Sequence, residues 1–272
     1  TLSYSNYEQT IENIVHNVYK IIYVAPERLN SDTFLNLLNK INISMVTIDE
    51  AHCVSQWGHD FRPSYTEIAN MILNLKKRPI VSAFTATATE LVKNDIVNLL
   101  HLENPYCLTT GFDRKNLKFS VENPSDKFEF IANYLESHKN EAGIIYCLTR
   151  KNVDNVFDKL SDLGLSVSRY HGGMTEKQRR LSQEDFTFDR TNIMVATNAF
   201  GMGIDKSNIR YVIHYNMPKD LESYYQEAGR GGRDGEKADC ILLFSRSDIV
   251  TNKVLIESTP SGSSHYQEYE KL

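Results

Sequence analysis

The sequence predicts an α/β fold: two domains, each a parallel sheet flanked by helices. Three observations carry this. Short apolar runs alternate with segments of helical periodicity along the chain, the pattern of strand–helix–strand units. A length of 272 residues accommodates two compact domains, each with its own core. The pattern falters once, between Pro105 and Pro124, where glycine, proline and mixed charges interrupt it. This places a first domain at 1–111, a linker at 112–124, a second domain at 125–250 and a tail at 251–272.

In the first domain, Ile11, Ile14, Val15 and Val18 recur at helical spacing. The run from Lys20 to Ala25 reads as a short buried strand ending at Pro26. A proline just inside a helix start suits the next segment, continued by Phe34, Leu37, Leu38 and Ile41. The run from Met45 to Ile48 is a strand, and Tyr65, Ile68, Ala69, Ile72 and Leu75 mark a helix after a loop. The stretch from Pro79 to Phe84 reads as a strand. Thr87 with Glu90 has capping-box spacing for the helix through Leu91, Ile96 and Leu99.

The second domain repeats the alternation. Helices are expected around Phe128–Leu135, Val153–Leu160, Thr175–Phe186, Leu221–Ala228 and Ser247–Glu257. Strands are expected at Gly143–Cys147, Val167–Tyr170, Asn192–Ala196, Tyr211–Tyr215 and Cys240–Phe244. Thr175 with Gln178 forms a second capping box, and Ser258–Ser264 is rich in Ser, Gly and Pro.

Hydrophobic content of 41% and charged content of 24% are ordinary for a globular protein. A formal net charge of −5 argues against histone-like, purely electrostatic nucleic-acid binding, but leaves room for a local basic groove. Cys53, Cys107, Cys147 and Cys240 are far apart and form no C-x-x-C pair, which predicts reduced thiols in a cytosolic protein. No apolar run approaches the length of a membrane span and no signal-peptide pattern is visible, so a cytoplasmic location away from membranes is expected.

Asp49 and Glu50 end the strand at Met45–Ile48, where open α/β sheets place their ligands. An aspartate there can hold a magnesium ion through water, and the ion bridges nucleotide phosphates. A glutamate one residue later can orient or deprotonate an attacking water. Two solvated acids at a turn would be the plainer explanation of a bare pair, but Asp49-Glu50-Ala51-His52 behind an apolar strand is a rarer string. The following loop offers Trp57 and Phe61 for stacking and Arg62 for phosphates or base faces, the means by which single strands are gripped.

Gly229-Arg230-Gly231-Gly232-Arg233-Asp234-Gly235 sets two arginines three residues apart at a helix end. They could stabilise charge on a transferring phosphoryl group, although a cationic helix C-terminus stopped by glycine has its own stabilising logic. Gly201-Met202-Gly203-Ile204-Asp205 is a weaker, phosphate-hugging type of loop. No G-x-x-x-x-G-K-[ST] occurs in these residues.

Together and in this order, these strings resemble a RecQ-family DNA helicase of superfamily 2, over almost the whole chain. Asp49-Glu50-Ala51-His52 resembles helicase motif II, and Ser55 to Pro63 resembles the aromatic-rich loop peculiar to RecQ enzymes. Tyr23–Leu29 and Phe84–Ala88 are similar to motifs Ib and III, Ile145–Cys147 to motif IV, Ala196–Asp205 to motif V and Gln226–Gly235 to motif VI. The resemblance implies two RecA-like domains, the first incomplete at its N-terminus, with ATP and magnesium between them and 3′→5′ translocation on DNA. It assigns catalysis to Glu50, Arg233 and Arg230. It assigns nucleotide binding to Asp49 (also the magnesium ligand), His52, Asp205, Gly203 and Gln226. It assigns DNA contact to Trp57, His59, Phe61, Arg62, His171 and Thr197. Zinc is expected only in a C-terminal subdomain beyond Leu272. The partners it implies are single-stranded and duplex DNA and a single-strand-binding protein, with the protein itself a nucleoid-associated monomer acting in repair, recombination and replication. Two rivals stand beside it: a DNA-binding module without catalysis, and an RNA helicase with the same engine.

Overall fold

The computed structural model describes residues 4–57, 61–86, 88–109, 111, 113–201 and 204–257. Its contacts divide the chain into two compact units, 1–110 and 111–272.

The first unit contains α1 (Tyr4–Val15), a 3₁₀ turn (Pro26–Asn30), α2 (Asp32–Leu38), β1 (Met45–Ile48), a second 3₁₀ turn (Ala51–Val54), α3 (Pro63–Asn74), β2 (Ile80–Ala83) and α4 (Glu90–Leu99). β1 and β2 are parallel, with Met45 opposite Ile80 and Ile48 opposite Ala83. A parallel pair needs a crossover, and α3 supplies it. Ile14, Phe34, Leu37, Leu38, Ile48, Ile68, Ile72, Val92, Ile96 and Leu100 form the core of this unit.

Two expectations fail here. The run from Lys20 to Ala25 forms no strand, and Ile21 (72% exposed) and Tyr23 (95%) face solvent. Apolar periodicity marks a segment that could be buried; among the described residues no strand pairs with this one. The cap of α4 is Thr89, whose side chain accepts from Val92 N at 3.3 Å, so the helix starts at Glu90. Thr87 lies outside the described residues.

The second unit is a six-stranded, all-parallel sheet in the order β3-β8-β7-β4-β6-β5. Its strands are β3 (Leu117–Glu122), β4 (Ala142–Tyr146), β5 (Val167–Tyr170), β6 (Ile193–Ala196), β7 (Ile209–His214) and β8 (Ala238–Leu243). Its helices are α5 (Lys127–Ser137), α6 (Arg150–Asp162), α7 (Glu176–Thr187), α8 (Leu221–Ala228) and α9 (Arg246–Glu257). Neighbouring residues on a strand point to opposite faces. Accordingly Ile145, Val195 and Ile213 join α5 and α6 in one core, while Ile144, Met194 and Val212 join Phe186 of α7 in another. The capping box of Thr175 and Gln178 forms as the spacing predicts.

Residues 117–122, read from the sequence as part of a linker, are the edge strand β3. An edge strand covered only in part needs no continuous apolar run; Lys118, Ser120 and Glu122 alternate with Leu117, Phe119 and Val121. Among the described residues no helix is long and apolar enough to cross a membrane.

Candidate nucleotide-facing strand end and arginine turn

In the first unit the site grows from the carboxyl end of β1. Ile48 is buried and Asp49 is exposed. Asp49 Oδ1 accepts the Glu50 amide at 2.9 Å. Glu50 takes a left-handed backbone conformation (φ 48°), a strained position for a residue with a side chain. The chain thereby turns sharply into the 3₁₀ turn, and the Ala51 amide donates to Phe84 O, just past β2, at 2.9 Å. Two carboxylates are set at one strand end, one of them open to solvent. Such an oxygen donor set suits a hard cation bound through water, so these residues fit magnesium.

His52 is 2% exposed. Its Nδ1 lies 2.8 Å from Thr85 Oγ1 and 3.5 Å from Glu50 Oε2. The ring therefore joins Glu50 to the segment after β2. Thr85 stands in the Phe84–Ala88 string, and nothing in its sequence context singles it out as this partner. Beyond His52, Cys53 and Val54 are buried, the hydroxyl of Ser55 donates to Asp95 Oδ2 at 2.6 Å, and the Trp57 amide donates back to Ser55 Oγ at 3.1 Å. The loop is thus anchored at its root, while the Trp57 side chain is 62% exposed and free of any core. An anchored loop bearing an exposed indole suits stacking on a planar group. Phe61 and Arg62 are half-buried, and the Arg62 amide donates to Cys53 O at 2.9 Å. His59 lies outside the described residues. Burial chiefly raises the pKa of the nearby Tyr65 phenol.

In the second unit the arginine turn follows α8. Arg230 is buried, and its Nη1 donates to Gly201 O. Its Nε is buried without a hydrogen-bond partner among the described residues. Arg233 is more exposed and its Nη1 donates to Ile204 O at 2.9 Å. The turn is therefore stitched to Gly201 and Ile204, and the Tyr146 hydroxyl adds a bond to Phe200 O at 2.9 Å. Partial burial lowers the Arg233 pKa, the Arg230 charge lowers it further, Asp205 opposes this and Arg114 adds to it. Several guanidinium groups within mutual reach, one with a spare buried donor, suit a polyanion such as a nucleotide phosphate chain. Asp205 is exposed, Gln226 is half-buried on α8, and Gly203 lies outside the described residues.

Sequence reasoning missed the support behind this turn. His214 on β7 and Glu227 on α8 are buried and meet at 2.9 Å, with Tyr146 and Tyr224 rings beside the imidazole. Burial chiefly raises the Tyr146 pKa. Arg114 and Asn116, before β3, reach the carbonyls of the turn. No short-range pattern links residues more than a hundred positions apart.

His171 and Thr197 sit at the carboxyl ends of β5 and β6 and are both 8% exposed. His171 Nδ1 accepts from the Gly173 amide at 3.1 Å, which leaves Nε2 to donate to Asp154 Oδ1 at 3.2 Å. The Thr197 amide donates to Tyr170 O at 3.1 Å.

Comparison with known proteins bears on these features. Residues 1–94 match the DEAD/DEAH box helicase family model and residues 126–235 match the helicase conserved C-terminal domain. The ATP-dependent DNA helicase RecQ of Bacillus subtilis is 46% identical over 264 residues, 97% of this chain and 45% of that protein. Over almost its whole length the chain is similar to RecQ DNA helicases. The RecQ helicase of Pasteurella multocida is 37% identical, over 95% of this chain and 41% of that protein. The chain thus spans less than half the length of these RecQ relatives.

Two solved structures share the fold. Mycobacterium smegmatis helicase Lhr bound to ssDNA and AMP-PNP aligns with a TM-score of 0.68 at 19% identity, over 93% of this chain and 36% of that one. S. cerevisiae Dbp5 bound to RNA and ADP BeF3 aligns with a TM-score of 0.62 at 21% identity, over 82% of this chain and 60% of that one. At these identities the likeness concerns RecA-like architecture alone.

Proposed function

We propose that the protein carrying this chain is an ATP-dependent DNA helicase that moves 3′→5′ on single-stranded DNA and separates duplexes during repair, recombination and replication. The observation that carries this reading is the 46% identity to a RecQ DNA helicase over 97% of the chain. Two features support it: a carboxylate pair at the carboxyl end of β1, and a turn that carries Arg230 and Arg233.

ATP with magnesium supplies the phosphoryl group whose transfer to water drives the motion. Asp49 would hold a magnesium ion, which would neutralise charge on the nucleotide phosphates. Glu50, fixed by its left-handed backbone and by His52, orients the attacking water and takes its proton. Arg233 meets charge developing on the phosphate, and Arg230 keeps the turn in register through Gly201. Asp205 and Gln226 add polar contacts to the nucleotide. Trp57, Phe61 and Arg62 grip the DNA, with His59 relaying that contact and Thr197 and His171 lining the strand's path.

The partners are single-stranded and duplex DNA and a single-strand-binding protein, the protein acts as a monomer, and its place is the cytoplasm, associated with the nucleoid. The test is ATP hydrolysis by the whole protein, with and without single-stranded DNA. We expect DNA to raise kcat and Glu50→Gln to lower it by about 10²–10⁴-fold, the usual contribution of a general base. DNA-stimulated turnover that survives Glu50→Gln would remove Glu50 from the mechanism. Absence of any ATP turnover would leave the chain a DNA-binding module without catalysis.

A further inference from the structure

We propose that Arg114 and Asn116 are positioning residues that hold the arginine turn in the place from which Arg233 acts, a proposal resting on the helicase reading above. The guanidinium of Arg114 fits over the turn as a clamp. Its Nη1 donates to Gly229 O at 3.4 Å, and its Nη2 donates to Gly231 O at 3.0 Å and Gly232 O at 2.8 Å. Its Nε donates to Asn116 Oδ1 at 3.3 Å, and Asn116 Nδ2 in turn donates to Gly232 O and Glu236 O, each at 2.8 Å. Two side chains therefore satisfy the carbonyls of Gly229, Gly231, Gly232 and Glu236, the residues that bracket Arg230 and Arg233.

The chemistry is specific to these residue types. The turn follows the C-terminus of α8, where carbonyls lack helical partners and the helix dipole favours a cation. Guanidinium offers five donors in a fixed planar fork, which lets one side chain span carbonyls several ångströms apart. An ammonium supplies the same charge from a single point. The glycines match the clamp. At Gly232 (φ +54°) a Cβ would stand 2.4 Å from Glu236 O and 2.5 Å from Asn116 Nδ2, so no side chain fits between turn and clamp.

Position in the chain gives the clamp its meaning. The two units divide between residues 110 and 111, and Arg114 is bonded to the turn three residues later. The covalent path from the first unit therefore reaches the second at the arginine turn before it enters β3. Arg114 also adds to the positive field that lowers the Arg233 pKa, so its guanidinium and that of Arg233 are electrostatic neighbours.

The experiment compares wild type, Arg114→Lys, Arg114→Ala, Asn116→Ala and the exposed control Lys115→Ala in the whole protein. Three quantities are read: kcat and KM for ATP with saturating single-stranded DNA, melting temperature, and amide exchange across Gly229–Gly235. The expected result for Arg114→Lys is a fall in kcat of about tenfold with KM nearly unchanged, the pattern of a lost transition-state interaction. Exchange in the turn should accelerate while melting stays near wild type, and Lys115→Ala should match wild type throughout. Arg114→Ala should fall further; if it does not fold, Arg114→Lys carries the test. Wild-type kcat with unchanged exchange in Arg114→Lys overturns the proposal. So does a kcat loss that only tracks a drop in melting temperature, because that marks a structural role. If the wild-type protein hydrolyses no ATP, the helicase reading fails by itself, and the clamp is then decided by exchange in the turn, where unchanged rates in Arg114→Ala overturn it.

Discussion

Asp248 offers the sharpest stability prediction. Its side chain is 6% exposed, and that of its partner Lys127 is 14% exposed. Asp248 Oδ2 accepts from Lys127 Nζ at 2.7 Å and from the Met217 amide at 3.2 Å, and Oδ1 accepts from Asn216 Nδ2 at 2.9 Å. Asn216 Oδ1 then accepts from the Leu148 amide at 3.2 Å and from Asn152 Nδ2 at 2.9 Å. One carboxylate on α9 thus ties the start of α5, the segment after β7 and the start of α6 together, at the sheet edge where the functional loops emerge.

Asp248→Ala strands a buried ammonium and removes the acceptor of two further donors. Breaking a buried pair from one side costs about 3–5 kcal/mol. For a unit of this size each kcal/mol lowers the melting temperature by about 2–4 °C, so a fall of roughly 6–20 °C is expected. Urea unfolding followed by circular dichroism measures the loss, and amide exchange in β4 and β7 assigns it to the second unit. Lys127→Met with Asp248→Leu should lose less than either single change, because no charge is then left alone. A cost below about 1 kcal/mol for Asp248→Ala, the range of an exposed ion pair, would refute the reasoning.

Further outcomes are expected at other positions. Gly201→Ala brings a Cβ to 2.5 Å from Arg230 Nη2, so the guanidinium must leave Gly201 O; DNA-stimulated kcat should fall about tenfold, a loss of roughly 1.4 kcal/mol in transition-state binding, and an unchanged rate would contradict the stitched-loop account. Trp57→Ala should leave basal ATP hydrolysis near normal and weaken its stimulation by DNA, costing about 1–3 kcal/mol in single-strand affinity; undiminished stimulation would make the exposed indole irrelevant to DNA. Hydrogen bonding lowers the carboxyl pKa of Asp126 (from the Glu129 and Phe128 amides), of Asp189 (from Lys206) and of Asp234 (from Arg210). Their native forms bind fewer protons than the unfolded chain, so the stability they contribute is complete above about pH 4 and disappears as pH falls through the lowered values. Asp126→Asn should make the acid-side fall in melting temperature shallower, and an unaltered profile would remove Asp126 from that balance.

Strands buried on both faces were legible from sequence. β4 and β6 read as unbroken apolar runs because helices cover both sides of them. β3 was not, since an edge strand keeps polar residues on alternate positions. The run from Lys20 to Ala25 misled in the opposite direction, being apolar yet unpaired among the described residues. At the site, Asp49, Glu50 and His52 stand in one short string and could be read directly. Thr85, 33 residues from His52, and Arg114, 115–118 residues from its acceptors, could not. Such partners are assembled by sheet order, which local periodicity does not encode.

The account stands on one claim, that ATP turnover at Glu50 drives strand separation of DNA. Strand displacement by the whole protein on duplexes with a 3′ or a 5′ single-stranded tail, made of DNA or of RNA, tests it most directly. The account predicts ATP-dependent displacement of the 3′-tailed DNA duplex, little on the 5′-tailed or RNA duplexes, and loss of displacement in Glu50→Gln. Displacement that proceeds equally in Glu50→Gln, or that favours RNA, would contradict it.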